Sequence, residues 1–196
     1  THFNYQGPLG VGFPAVVLDG VTMSAANVDA GWIGFDGQTA IAEATGCPTV
    51  LLNDADAAGL AEMRFGAGCD LRGVVMIFTL GTGIGSAMFV NGRLVPNLEL
   101  GHIYLKNMRA DAEDFTSDRV RKAENLKWKQ WGQRLNQYFR YIEGLFSPNT
   151  IIIGGGVSKK HRKFLKHIDV RAQVMPAQLL NQAGIVGAAL AAPVSG

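Results

Sequence analysis

Residues 48 to 63 read Pro-Thr-Val-Leu-Leu-Asn-Asp-Ala-Asp-Ala-Ala-Gly-Leu-Ala-Glu-Met. The apolar run from Thr49 to Leu52 stops at Asn53, with Asp54 and Asp56 directly behind it and a helix-like pattern after them. A short apolar strand that runs into polar residues and then a helix places those side chains at the carboxyl end of a sheet, where open α/β folds bind ligands. A carboxylate in that place either caps the helix or does chemistry. The stretch predicts an α/β fold with its site at a strand end.

The flanks extend that pattern. Leu9 to Val17 is apolar and β-branched, Asp19-Gly20 is a turn signal, and Val21 to Val28 resumes an extended pattern, which predicts a hairpin-like pair. Ala40 to Thr45 reads as a helix ended by Cys47-Pro48, and Ala55 to Arg64 as a helix stopped by Gly66 and Gly68. Further on, a buried strand from Gly73 to Leu80 enters a glycine run. Ala87 to Val90, the turn Asn91-Gly92 and Arg93 to Val95 then predict a second hairpin. Lys106 to Lys129 is the most polar and least periodic part, an expected exposed loop with a short helix. Trp131, Leu135, Tyr138, Phe139, Ile142, Leu145 and Phe146 recur at helical spacing, so a long amphipathic helix ends at Ser147-Pro148 with its aromatics in the core. A strand from Thr150 to Ile153 meets three glycines, and Ala183 to Ala192 forms a small-residue helix.

Composition sets the bounds. A chain of 196 residues with 47% apolar and 17% charged side chains can bury a globular core. No apolar run approaches the ~20 residues that span a bilayer, and the expectation is a soluble, cytoplasmic protein with no membrane partner. Cys47 and Cys69 stand alone, which suggests neither zinc nor a disulfide framework. A net charge of +2 does not announce a nucleic acid, and none is expected as a partner. The charge is nonetheless uneven: residues 1 to 70 hold very few Lys or Arg, while Lys159, Lys160, Arg162, Lys163, Lys166 and Arg171 crowd one segment. That asymmetry points to an anionic partner or to a solvated face.

Three motifs carry chemistry. Gly81-Thr82-Gly83-Ile84-Gly85-Ser86 is not a dinucleotide fingerprint, because Ser86 stands where the third glycine belongs and a strand follows. What remains is a strand-glycine-strand hairpin whose N–H groups and Thr82 hydroxyl either surround a phosphate or make a plain tight turn. Gly154, Gly155 and Gly156 offer a second place for close backbone approach, ahead of the basic segment at Lys159 and Lys160. In Asn97-Leu-Glu-Leu-Gly-His102, the carboxylate of Glu99 and the imidazole of His102 suit vicinal hydroxyls, and Asn27 and Asn53 add donors and acceptors from strand ends.

Leu52-Asn-Asp-Ala-Asp-Ala-Ala-Gly59, Leu80-Gly-Thr-Gly-Ile-Gly-Ser-Ala87, Glu99-Leu-Gly-His102 and Ile153-Gly-Gly-Gly-Val-Ser158 occur in an order that resembles the ROK sugar kinases of the actin-like ATPase superfamily. The likeness runs from about Gly10 to Ala192 and is closest to the bacterial polyphosphate glucokinases. It implies an actin-like (ribonuclease H-like) two-lobe α/β fold, with residues 1–70 and the C-terminal helix 183–196 in the small lobe and 71–182 in the large one. It implies that Asn53 and Asp54 bind the sugar and that Asp54 takes the proton of its 6-hydroxyl. It further implies that Gly81, Thr82 and Gly83 form the second phosphate loop, that Glu99, His102 and Asn27 hold sugar hydroxyls, and that Gly154 to Gly156 lie in the nucleotide-side loop. Asp56 is read as a helix-capping or first-turn acid.

Two departures qualify the likeness. The Asp-x-Gly-Gly-Thr motif that opens ROK kinases has no match, and supplying the strands around it takes roughly 50 to 70 residues. The sequence is therefore expected to be a fragment with an incomplete N-terminal lobe, poorly able to hold donor and magnesium by itself. The cysteine-rich zinc loop of many ROK proteins is also absent, a departure that favours the polyphosphate subgroup. The implied reaction moves a phosphoryl group from inorganic polyphosphate or ATP to glucose, with Mg2+ bound through the donor, in a homodimer. An ATP-dependent ROK hexokinase acting on glucose, mannose or an amino sugar is the alternative enzyme. The sugar-sensing domain of a ROK repressor is the alternative from another class, and a sensor has no need of Asp54 as a base.

Overall fold

The computed structural model describes residues 5–25, 28–106 and 108–193. Strand β1 (Leu9–Phe13) is followed by three short strands, β2 (Val17–Leu18), β3 (Val21–Thr22) and β4 (Phe35–Asp36), then helix α1 (Gly37–Thr45), strand β5 (Thr49–Asn53) and helix α2 (Asp54–Phe65). The expected hairpin from Leu9 to Val28 is corrected. β1 pairs in parallel with β5, Leu9 opposite Thr49 through Phe13 opposite Asn53, and only β2 and β3 form the hairpin across Asp19-Gly20. Pro14 separates the two roles, since its ring removes a ladder donor between β1 and β2.

The chain continues through β6 (Val74–Leu80), β7 (Ile84–Val90) and β8 (Arg93–Val95), then α3 (Glu113–Thr116), α4 (Asp118–Ala123) and α5 (Trp128–Phe146). β9 (Thr150–Gly154), β10 (Gln173–Pro176) and α6 (Ala183–Ala191) complete it. The larger sheet has the order β10-β9-β6-β7-β8, with β6 to β8 antiparallel and β9 and β10 joined in parallel. Alternation along β6 sends Met76, Phe78 and Leu80 to one face and Val75 and Ile77 to the other. The first set packs on Trp131, Leu135, Tyr138, Phe139 and Ile142 of the expected apolar stripe of α5, all fully buried; the last turn departs from the expectation, with Phe146 partly buried and Leu145 57% exposed. Phe78 meets Tyr138 and Phe139 edge-on at 5.6 and 5.2 Å between centroids, and each such burial contributes roughly 1.5–3 kcal/mol. The second set packs with Phe89 and Ile152 against Leu60 and Met63 of α2.

Helix α2 thus lies between the β1–β5 pair and the larger sheet and carries Asp54 as its first residue. α6 locks it there: a Cβ on Gly187 would stand 1.5 Å from the Ala57 carbonyl oxygen, so the two backbones touch at a spacing only glycine permits.

Lys106–Lys129, expected as an exposed loop with one short helix, contains two helices and buries Ala112, Thr116, Ser117, Asp118 and Val120. Its polar groups bond both within the segment and to its neighbours. The Thr116 hydroxyl donates to Ala112 O at 2.6 Å, Trp131 Nε1 donates to Thr116 O at 2.9 Å, and Asp118 takes Arg121 at 2.6 Å. The basic segment Gly156–Lys163 is a kinked run of 3-10 turns.

Candidate active site

Asn53 ends β5 and caps α2. Its Oδ1 accepts from Ala55 N at 2.8 Å and Asp56 N at 3.1 Å, while its Nδ2 donates to Ala15 O at 3.1 Å. The cap is therefore Asn53, and Asp56 is a first-turn acid with another partner. Asp54, the first residue of α2, faces a cavity of about 390 Å3, a size suited to one small ligand. Asn53, Gly81, Thr82, Gly83, Glu99 and His102 line the same cavity, as does Gly155. Asn27 lies outside the described residues.

The two glycine loops meet back to back. β6 and β7 pair to Leu80–Ile84, with Gly81 N donating to Gly83 O at 3.0 Å across the turn. At Gly155, φ is +78°, and a Cβ would fall 2.4 Å from Leu80 O. Any side chain there would push the second loop off the first. Gly154 is the buried last residue of β9.

A second cavity, about 620 Å3, opens on the far side of the hairpin and shares Gly81 and Thr82 with the first. Gly156, Asp118, Arg119, Arg121, Lys122, Trp128 and Lys160 line it, with Asp118 pairing Arg121 at 2.6 Å and Lys122 at 2.8 Å and leaving the cavity a net positive charge. The Arg121 guanidinium lies 4.2 Å above the Trp128 ring, and Lys160 and Lys163 approach the same ring at 5.9 and 5.6 Å. Lys159 is exposed and lines neither cavity.

Charge in the first cavity is acidic. Burial raises the pKa of Asp54, partly opposed by the backbone N–H groups of Ala55 and Asp54. Burial also raises Glu99, against the opposing pull of His102. His102 is raised by its hydrogen bond to Asp111, with burial acting the other way.

Several functional neighbours were not singled out from the sequence. Asp111 Oδ2 stands 3.0 Å from His102 Nδ1, and its Oδ1 accepts from Asp114 N at 2.9 Å. Glu113 lines the first cavity and takes the Ile84 N–H at 2.8 Å, fixing the end of the glycine hairpin. Arg119 Nε donates to Thr82 O at 3.2 Å and its Nη2 pairs with Asp114 at 2.7 Å. The one signal was the acid-rich run Asp111-Ala-Glu-Asp114, hidden by its loop-like composition. Ser86, which disqualified the dinucleotide fingerprint, donates to Leu98 O at 2.7 Å and accepts from Leu100 N at 3.0 Å. Its hydroxyl binds the Glu99–His102 turn to the glycine hairpin.

A strand-end acid facing a glycine hairpin across one small cavity is an arrangement for moving a phosphoryl group, and the chain belongs to the ROK family, which it matches over residues 1–114. Over 190 residues it is 44% identical to the polyphosphate glucokinase of Mycobacterium tuberculosis, an alignment that spans 96% of this chain and 71% of that one. Among solved structures, the inorganic polyphosphate/ATP-glucomannokinase from Arthrobacter sp. strain KM superposes with a TM-score of 0.88 at 46% identity, over 92% of this chain and 71% of that one. A ROK family glucokinase from Streptomyces griseus, in complex with glucose and AMPPNP, superposes with a TM-score of 0.82 at 25% identity, over 95% and 81%. The expected α/β fold, that of the actin-like ROK sugar kinases, is the fold of this chain.

Proposed function

We propose that this protein transfers the terminal phosphoryl group of inorganic polyphosphate, and also of ATP, to the 6-hydroxyl of glucose, giving glucose 6-phosphate. The observation that carries this reading is the placement of Asp54 and the Gly81–Gly83 hairpin on one cavity. The likeness to polyphosphate glucokinases supports the substrates. Asp54 accepts the O6 proton as O6 bonds to the terminal phosphorus. The bridging P–O bond breaks, and the donor leaves one phosphate shorter. A carboxylate whose pKa is lifted by burial is a stronger base than a solvated one. Asn53, Glu99 and His102 hold the ring, with Asn27 as a further contact. Thr82 and the backbone N–H groups of Gly81 and Gly83 take the phosphoryl oxygens.

Among the described residues no three His, Cys, Asp or Glu side chains are grouped to hold a metal ion. Mg2+ is proposed to arrive bound to the donor's oxygens, where it would neutralise phosphate charge. The donor extends past Gly154, Gly155 and Gly156 into the second cavity. A polyphosphate carries about one negative charge per internal phosphate, and Arg119, Arg121, Lys122 and Lys160 meet it there. Lys159 serves as an outer contact for a longer chain.

The lobe division at residues 70 and 183 belongs to the same proposal, supported by α6 packing on α2. A homodimer rests on the family alone. Among the described residues no helix is long and apolar enough to cross a membrane.

The test is a transfer assay with glucose and either polyphosphate or ATP, following glucose 6-phosphate. The parent protein should use both donors. Asp54→Asn should lower kcat by about 10^2- to 10^4-fold with modest change in glucose affinity. Turnover near the parent value would remove Asp54 from the role of base.

A further inference from the structure

Asp56 follows the proposed base by two residues and faces away from the cavity. Its side chain is buried to 1% exposure, and its Oδ2 accepts from the backbone N–H of Asn97 at 2.8 Å. Asn97 holds a left-handed backbone, φ +61°, which asparagine tolerates better than other residues with a side chain. Its side-chain amide then does what a neighbouring strand would do: Oδ1 accepts from Val17 N at 2.9 Å and Nδ2 donates to Val17 O at 2.8 Å. Three segments far apart in sequence meet through these two residues.

Each of those segments carries part of the cavity wall. α2 carries Asp54. The stretch after Asn97 carries Glu99 and His102. The stretch around Val17 carries Ala15, whose carbonyl oxygen takes Asn53 Nδ2, and Ser24, whose Oγ accepts from Val16 N at 3.0 Å. β2, β3 and β4 are two residues long each, too short to hold a position by themselves. Something must fix that small sheet against the rest, and the Asn97 amide is its bond to the large sheet's loop.

We propose that Asp56 and Asn97 are positioning residues of the sugar site, a buried strut that sets the distance between the Ala15–Ser24 wall, the Glu99–His102 wall and the proposed base. The inference rests on the glucose reading above and adds to it two residues that touch no substrate. As an element of stability the strut is poor: Asp56 Oδ1 has no partner among the described residues, and an incompletely satisfied buried carboxylate costs free energy. Its return is geometry, because a backbone N–H, a carboxylate and a two-bond amide leave little freedom in how the three segments sit.

Glucose binding by calorimetry, together with steady-state kinetics of the full chain, tests this. Asp56→Ala should weaken glucose binding and raise its KM by at least about tenfold, with the donor KM within about threefold of the parent. Asp56→Asn, which keeps an acceptor for the Asn97 N–H, should bind like the parent. Asn97→Gly, which keeps the left-handed backbone and removes only the bonds to Val17, should match Asp56→Ala, and the double variant should be no worse than either alone. If Asp56→Ala fails to fold, Asn97→Gly against Asp56→Asn carries the comparison. Glucose affinity unchanged in Asn97→Gly, equal loss in Asp56→Asn and Asp56→Ala, or losses that add in the double variant would each overturn the strut. A parent that binds no glucose would overturn the functional reading together with it, whereas a parent that binds with variants unaffected would overturn the strut alone.

Discussion

Position 56 shows how one side chain can cost stability and still organise a site. Burial, opposed by the Asn97 N–H and aided by the charges of Glu99 and Asp54, raises its pKa from 3.8 to about 6. A group whose folded pKa lies above its unfolded one binds more protons when folded, so its contribution to stability is present below about 4 and is lost as pH rises through about 6. The loss amounts to about 3 kcal/mol at neutral pH. Asp56→Asn should therefore melt several degrees above the parent at pH 7 to 8, with the gap closing as pH falls toward 4, as followed by circular dichroism. At position 111 the carboxylate holds His102 Nδ1 and leaves Nε2 turned toward Glu99, 3.8 Å away. Asp111→Ala should lower the pKa of His102, read by NMR titration, and raise the glucose KM several-fold with little change in kcat. A titration midpoint equal to the parent's would show that Asp111 does not set the imidazole.

At the scale of elements, the junction of β5 with α2 is held by packing as much as by its cap. The Gly187–Ala57 contact brings α6 and α2 to backbone distance. Gly187→Ala should destabilise the protein by about 1–3 kcal/mol in denaturant unfolding, as overpacked sites do. Because α2 also carries Asp54, kcat should fall in the same variant even where the protein remains folded. Unchanged stability would mean that α6 can shift away from α2 without strain.

Across the whole molecule, charge divides between the two cavities, although of the basic segment from Lys159 to Arg171 only Lys160 lines either of them. The acidic first cavity, with Asp54 and Glu99, and the second, with Arg119, Arg121, Lys122 and Lys160, share the Gly81–Thr82 turn as their boundary. A neutral sugar suits the first and a long anion the second. Lys160→Ala should raise the KM for polyphosphate more than that for ATP, and polyphosphate use should fall more steeply as salt rises from low to about 0.15 M. Equal effects on both donors would reduce the basic segment to a solvated face. Lys159→Ala, outside both cavities, should change ATP use little.

The sequence alone determined the strand-to-helix junction at Asn53-Asp54, the hairpin turns at Asp19-Gly20 and Asn91-Gly92, the buried face of α5 and the order of the glycine motifs. Each is written in a local period or a turn signal a few residues long. Tertiary structure decided which strand β1 would pair with, what Lys106–Lys129 would bury, and which side chains hold the site in shape. Asp56 reaches Asn97 across 41 positions, and Asn97 reaches Val17 across 80. Ser86, Asp111 and Glu113 reach Leu98, His102 and Ile84 across 12, 9 and 29 positions. No local pattern encodes a hydrogen bond between distant segments, because its partners become neighbours only once the sheets and helices between them have packed.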